Sequence, residues 1–320
     1  LPPDPRAWSD DDVLLALART GSDTVGDLVV GDEALRRWQA GRLDAPAPLT
    51  SAEVPAAYLA LANQAVAGGG AGSSAAGEFP KFAALRALPQ GANTAGPGGA
   101  RTPHVLVKFS APDENPVSER WRDLLLAEHL ALSVLGIDTE VFDFGIQRFL
   151  EVPRFDRVGQ FGRLGVFSLR ALEAEFVGDA SATWPSLVSR LVADGHVHAD
   201  AVAGSAMQWA FGTLIGNTDM HAGNLSFVSR HGRPYQLAPA YDVLPMGFAP
   251  RSGGALVDTL PPASLSASVD GESWREALRL ADMFFARVCA CDGFSSRFYP
   301  CIDALRRHID EAASRIARLG

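Results

Sequence analysis

The stretch GNTDMHAGNLSF (216–227) is the densest polar cluster of the chain. It follows directly on an apolar run with helical spacing that includes Trp209, Phe211, Leu214 and Ile215. Behind it, LSFV (225–228), the turn SRHGRP (229–234) and YQLAP (235–239) read as a short hairpin, and Tyr241–Asp242 comes next. Asp219, Asn224 and Asp242 therefore bracket a helix end and a hairpin. Taken alone, either aspartate reads as a helix cap or turn residue, Asn224 as a turn former, and His221 as a buried, hydrogen-bonded histidine. Their combined order points further. An Asp, an Asn five residues on, two short strands and a second Asp is the arrangement of protein-kinase-like phosphoryl transfer.

That chemistry needs positioning and charge neutralisation rather than a covalent intermediate. Asp219 is expected to accept a hydroxyl proton, while hard oxygen ligands from Asn224 and Asp242 hold Mg2+ against the phosphates of ATP. Upstream segments then acquire roles. PHVLVKF (103–109) is short and β-branched, a strand that carries Lys108 on the face of His104 and Leu106. Lys108 is placed to contact the α/β-phosphates as a point charge. In SSAAGEF (73–79), successive backbone N–H groups of Ser73, Ser74, Ala75, Ala76 and Gly77 would cap phosphates, Gly77 allowing close approach. Without the lysine strand and the downstream acids, the same segment reads as a flexible linker. A helix from Ser118, as its N-cap, to Leu135 carries Glu128, the candidate to orient Lys108.

Working outward, DDVLLALAR (11–19) and AEVPAAYLALANQAV (52–66) have helical spacing, and the first sixty residues read as a small helical or mixed cap. FPKFAAL (79–85) is a possible strand, PQGANTAGPGGAR (89–101) a surface loop, and IQRFLEV (146–152) a strand. Helices are expected at 182–194, 200–215, 273–290 and 295–319; in the last, Ile302, Leu305, Ile309, Ala312, Ile316 and Leu319 repeat at helical spacing. There is no internal repeat. A mixed N-lobe (1–150) is expected to join a mainly helical C-lobe (151–320) near Leu150–Pro153, with ATP between them and Glu151 and Val152 at the joint as further ATP-binding residues.

GNTDMHAGNLSF, LAPAYDVLPM (237–246), EVPRFDR (151–157), SSAAGEFPKF (73–82) and HVLVKF together resemble the HipA family of bacterial serine/threonine kinases, toxins of toxin–antitoxin modules, and most closely its YjjJ-like branch. The likeness extends from about residue 15 to 320. It implies an α+β, bilobal protein-kinase-like fold, with Asp219 as catalytic base, Asn224 and Asp242 as magnesium ligands, Lys108 on ATP, and Ser74 autophosphorylated with loop ejection and self-inactivation. It also implies a protein substrate and an antitoxin partner. Gly223 departs from the pattern, because many members carry a lysine immediately before the metal-binding Asn; His221 is the candidate partial substitute. The helix of Glu128 is a few residues shorter than the family's spacing. The YjjJ-like branch resembles a kinase body behind a DNA-binding winged helix that is not recognisable here, so DNA is expected only indirectly or through a missing N-terminal segment.

Composition narrows the field. With 320 residues, 47% hydrophobic and 20% charged, the chain has the make-up of a folded protein of about two domains. DLLLAEHLALSVLG (123–136) is too short and too interrupted to span a bilayer, so no membrane association is expected. A net charge of -9 offers no whole-protein field for nucleic acid. Three cysteines, Cys289, Cys291 and Cys301, without paired zinc spacing read as ordinary thiols of a cytoplasmic protein. The opening LPPDPRAW, lacking a methionine, reads as a trimmed terminus. Two rival functions remain: a hydrolase whose metal is held by His196, His198, Asp219 and His221, and a catalytically quiet kinase fold acting as a corepressor.

Overall fold

A computed structural model of the chain describes residues 7–44, 46–67, 79–87 and 102–319. Three helices come first, α1 (Asp10–Thr20), α2 (Asp32–Leu43) and α3 (Val54–Ala67), followed by strands β1 (Lys81–Leu85) and β2 (His104–Phe109). The long helix α4 (Pro116–Val134) leads to β3 (Glu140–Phe144), β4 (Gln147–Pro153) and the short strands β5 (Arg157–Val158), β6 (Gly162–Arg163) and β7 (Gly165–Ser168). Next are α5 (Leu169–Phe176), α6 (Trp184–Ala193), α7 (Ala201–Leu214), the hairpin of β8 (Ser226–Ser229) and β9 (Gln236–Leu237), and finally α8 (Gly271–Ala290) and α9 (Tyr299–Ile316). These elements form two compact units, Leu1–Phe109 with Glu151–Val166, and Ser110–Leu150 with Phe167–Gly320.

In the first unit, β1 and β2 pair antiparallel with Lys81 opposite Lys108 and Leu85 opposite His104. The end of β4 lies on the other side of β2, so β2 has a neighbour on both edges. Alternation buries Val105, Val107 and Phe109, but Lys108 on the opposite face is buried too, at 5% exposure. Helix α3 packs on this sheet through Tyr58, edge-on to Phe82 at 5.3 Å. Its hydroxyl donates to Glu151, which also pairs with Arg86. A second anchor grows from RFDR (154–157). The buried Asp156 accepts from Arg154, Arg157 and the amide of Gly26, while Arg163 donates to the carbonyls of Ser22, Thr24 and Gly26. Burial works to raise the Asp156 pKa, but the guanidiniums of Arg154 and Arg157 outweigh it and hold the carboxyl below its usual range. Gly26, at φ 85°, supplies the left-handed turn, and a Cβ there would come within 3.3 Å of the Val166 amide.

In the second unit, α4 is capped by Asn115 rather than Ser118. The Asn115 side chain accepts from the amides of Val117 and Ser118, and Pro116 occupies the first turn, where it loses no helical hydrogen bond. Helix α4 buries a broad face and fastens it with charged groups. Asp123 accepts from the Ser295 amide and hydroxyl, and Arg120 donates to the carbonyls of Phe248 and Val257 and to Asp258. Leu169, Leu172, Trp184, Leu187, Val188, Leu191, Leu225 and Phe227 form a core that joins α5, α6 and the β8 hairpin. In that hairpin Phe227 stands opposite Leu237. Helix α7 meets α8 through Phe211 and Phe284, edge to face at 6.3 Å. The expected helix at 295–319 is shorter: a single 3-10 turn, Ser296–Phe298, precedes α9, because Pro300 cannot donate and suits a first turn only. The three cysteines are free thiols.

Candidate active site

The site loop begins where α7 ends. Gly216 adopts φ 77° and turns the chain back, so that the Asn217 amide donates to the carbonyl of Gly212 at 2.8 Å. The Asn217 side chain, 6% exposed, then joins two stretches of chain. Its Oδ1 accepts from the Asp219 amide at 3.0 Å, and its Nδ2 reaches the carbonyl of Asp242 at 3.4 Å. Asn224 adds a third tie, donating from Nδ2 to the carbonyl of Asp219 at 2.8 Å. Residues Ala222–Asn224 form one 3-10 turn, capped by His221, whose Nδ1 accepts from the Gly223 amide at 3.0 Å. The His221 carbonyl accepts from the indole of Trp184 at 3.2 Å.

Asp242 is held from the other side. Tyr241 donates to the carbonyl of Gly223 at 2.9 Å and lies 2.6 Å from the Ser226 hydroxyl. Burial pushes this phenol up to about 12; the Ser226 hydrogen bond opposes the shift and the neighbouring Asp242 charge adds to it. Asp242 itself has φ 54°, the one left-handed non-glycine among the described residues. Such a conformation costs on the order of 1 kcal/mol or more and persists where surrounding bonds over-determine it.

The arrangement brings three of the sequence-derived residues, Asp219, Asn224 and Asp242, into one hydrogen-bonded loop pair. Asn224 Nδ2 is committed to the Asp219 carbonyl, which leaves its Oδ1, an oxygen donor like the Asp242 carboxylate and of the type hard cations take. Lys108 is buried in β2 of the first unit, its Nζ 6.0 Å from the centre of the Phe79 ring. Glu128 is fully buried on α4 of the second. The Glu151 carboxylate is engaged by Tyr58 and Arg86, and Val152 is half-buried in β4. Ser73, Ser74, Ala75, Ala76 and Gly77 lie outside the described residues.

The four residues of the metal-hydrolase alternative are not gathered into one cluster. Among the described residues no group of three or more His, Cys, Asp or Glu side chains is placed to share a metal ion. His196 stacks on Phe176 at 3.9 Å, and His198 pairs with Asp200 at 3.1 Å, so neither joins Asp219 and His221. Two residues that tie the Asp219 and Asp242 loops were given no role by the sequence pattern. Asn217, two residues before Asp219, carried the signature of an Asx turn, and Tyr241 preceded the metal-ligand candidate.

The HipA-like C-terminal domain family matches residues 73–317 of this chain. The chain belongs to the HipA family. Its residues 1–39 match the middle domain of YjjJ-like toxins. Toxin YjjJ of Escherichia coli (strain K12) is 37% identical over 324 residues, which span 99% of this chain and 70% of that protein. The structure of Shewanella oneidensis MR-1 HipA, with HipB and operator DNA, aligns over 98% of this chain and 80% of its own, with a TM-score of 0.55 at 16% identity. The α+β HipA-like fold is therefore the fold of this chain. Within this HipA-family site, the departure at Gly223 has a local cause. A Cβ at residue 223 would lie 2.9 Å from the His221 ring, so a lysine in that place would require the His221 cap to shift. Among the described residues no helix is long and apolar enough to cross a membrane.

Proposed function

We propose that this HipA-family chain is an ATP- and Mg2+-dependent serine/threonine-protein kinase, the toxin of a toxin–antitoxin pair, which silences itself by autophosphorylation at Ser74. The observation that carries the reading is the double tie of Asn217, which sets the backbone of Asp219 and that of Asp242 against one side chain. Asp219 takes the proton of the acceptor hydroxyl as its oxygen bonds to the γ-phosphorus and the bond to the β-phosphate oxygen of ADP breaks. Asn224 Oδ1 and the Asp242 carboxylate are the groups that would hold magnesium, which supplies charge neutralisation to the phosphates when bound. Lys108 adds a strand-borne cation for the nucleotide. The names of the relatives, a toxin and a HipA in complex with HipB and operator DNA, support an antitoxin protein as partner, with DNA reached through it.

Incubation of the purified chain with γ-labelled ATP and magnesium, read by intact mass and peptide mapping, tests this reading. Label should enter Ser74, and Asp219→Asn should lower incorporation roughly 10²- to 10⁴-fold while leaving the fold intact. Full incorporation by Asp219→Asn would remove the base assignment. Label on another acceptor, with both Ser73 and Ser74 unmodified, would remove the self-silencing and leave the kinase.

A further inference from the structure

Beside Asp219, the second unit holds an open groove of about 460 Å³ lined by Trp209, Asn217, Thr218, Asp219, Met220 and His221. That volume falls within the ~300–1,000 Å³ of small-ligand sites. Its walls are built. Trp209 stands edge-on to Trp184 at 5.5 Å, and Trp184 in turn donates to the His221 carbonyl, so the indole and the loop brace each other. Met220 rests on the bare backbone of α7, since a Cβ on Gly212 would come within 2.5 Å of its sulfur. Gly212 lies three residues after Trp209, on the same face of the helix, so the thioether and the indole are neighbours.

Among the described residues of the lining, Asp219 is the one carboxylate, and Lys, Arg and Glu are absent. Among the described lining residues a phosphate would meet a carboxylate, which disfavours a nucleotide as occupant. Among the described lining residues an acidic side chain would meet the Asp219 carboxylate, and a basic one would compete for the base itself. A large apolar side chain would cover the indole and the thioether, both well suited to irregular apolar contact. We propose that this groove is the acceptor subsite for a polypeptide in which a large apolar residue, such as Leu, Met or Phe, adjoins the serine or threonine hydroxyl. The proposal rests on the phosphoryl-transfer reading, because it is Asp219 that fixes where the hydroxyl lies.

The test uses the full chain and serine peptides of one length that differ only beside the acceptor: Leu, Phe, Lys or Glu. Two readouts are taken, anisotropy of the labelled peptide for binding and incorporation of labelled phosphate. The Leu and Phe peptides should bind about tenfold to a hundredfold tighter than the Lys and Glu peptides, the usual yield of one apolar pocket contact. Trp209→Ala should erase that preference, Trp209→Phe should retain most of it, and Met220→Glu should turn it toward the Lys peptide. Equal binding of the four peptides by the wild-type chain, or an unaltered preference in both Trp209→Ala and Met220→Glu, would overturn the subsite. Apolar preference in binding without any incorporation would keep the subsite and overturn the kinase reading instead, so the two failures are distinct.

Discussion

Replacing Asn217 by alanine removes a side chain that ties the Asp219 loop to the Asp242 loop, alongside Tyr241. The two bonds it loses are unequal. The Asp219 amide donates at 3.0 Å, a normal length, whereas the bond to the Asp242 carbonyl, at 3.4 Å, lies at the weak end. A buried group left without its partner costs about 1–3 kcal/mol, and a normal bond nets about 0.5–1.5 kcal/mol. Asp219 is only half-buried, so water can recover part of the loss at its amide. Together these place the cost at about 2 kcal/mol, dominated by the Asp219 bond. The effect on turnover should exceed the effect on stability, since a misplacement of about 1 Å at a reacting group costs on the order of 10²-fold. Asn217→Asp separates the two bonds: its carboxylate still accepts from the Asp219 amide but faces the Asp242 carbonyl with an acceptor and a charge. Hydrogen exchange of the 216–224 segment, urea unfolding and phosphate incorporation read the three consequences. Wild-type exchange in 216–224 together with an unfolding free energy within about 0.5 kcal/mol of wild type for Asn217→Ala would refute the tie.

In the first unit, Asp156→Ala should cost about 3–5 kcal/mol, because it leaves the buried guanidiniums of Arg154 and Arg157 with only Asp23, half-exposed, as a carboxylate partner. The loss should appear as rapid proteolysis at residues 22–26, and a protected segment would count against the anchor. Since the Asp156 pKa is depressed in the folded chain, its stabilisation is present above the ordinary carboxylate value of 3.8 and is lost as pH falls through the depressed one. Asp123 should behave in the opposite sense. Burial raises its pKa against the lowering effect of the Ser295 bonds, so its contribution is complete below 3.8 and declines as pH rises through the raised value. Asp123→Asn can keep a bond from the Ser295 amide and offer its own N–H to the Ser295 hydroxyl, and should gain stability relative to wild type between about pH 4 and 7. A constant difference across that range in urea unfolding would contradict it.

Local pattern alone determined a large part of this protein. The periodicity of Leu305, Ile309, Ala312 and Ile316 is that of α9. The β-branched run ending in Lys108 is β2, and the turn between LSFV and YQLAP is the β8–β9 hairpin, because short-range sterics and face alternation decide such elements. The same holds for the Asp219, Asn224 and Asp242 order, whose spacing is a property of one continuous stretch. Elements without a strong local signature were missed. DEALRRWQAGRL is α2 although only Ala34 in it is buried, so little apolar stripe was there to read, and α5 is only eight residues long. The rest needed the tertiary structure. Lys108 is buried on the opposite face of its strand from Val107, its Nζ 6.0 Å from the Phe79 ring centre, which alternation alone does not show. Asp156 finds Gly26 across 130 residues, and Asn217 finds Asp242 across 25. His196 and His198, so close in sequence to the apolar helix of the site, turn to Phe176 and Asp200 instead. Spacing along a chain fixes which side chains share a face, but a hydrogen bond reaches only about 3 Å, and which distant groups come within that reach is decided by packing alone.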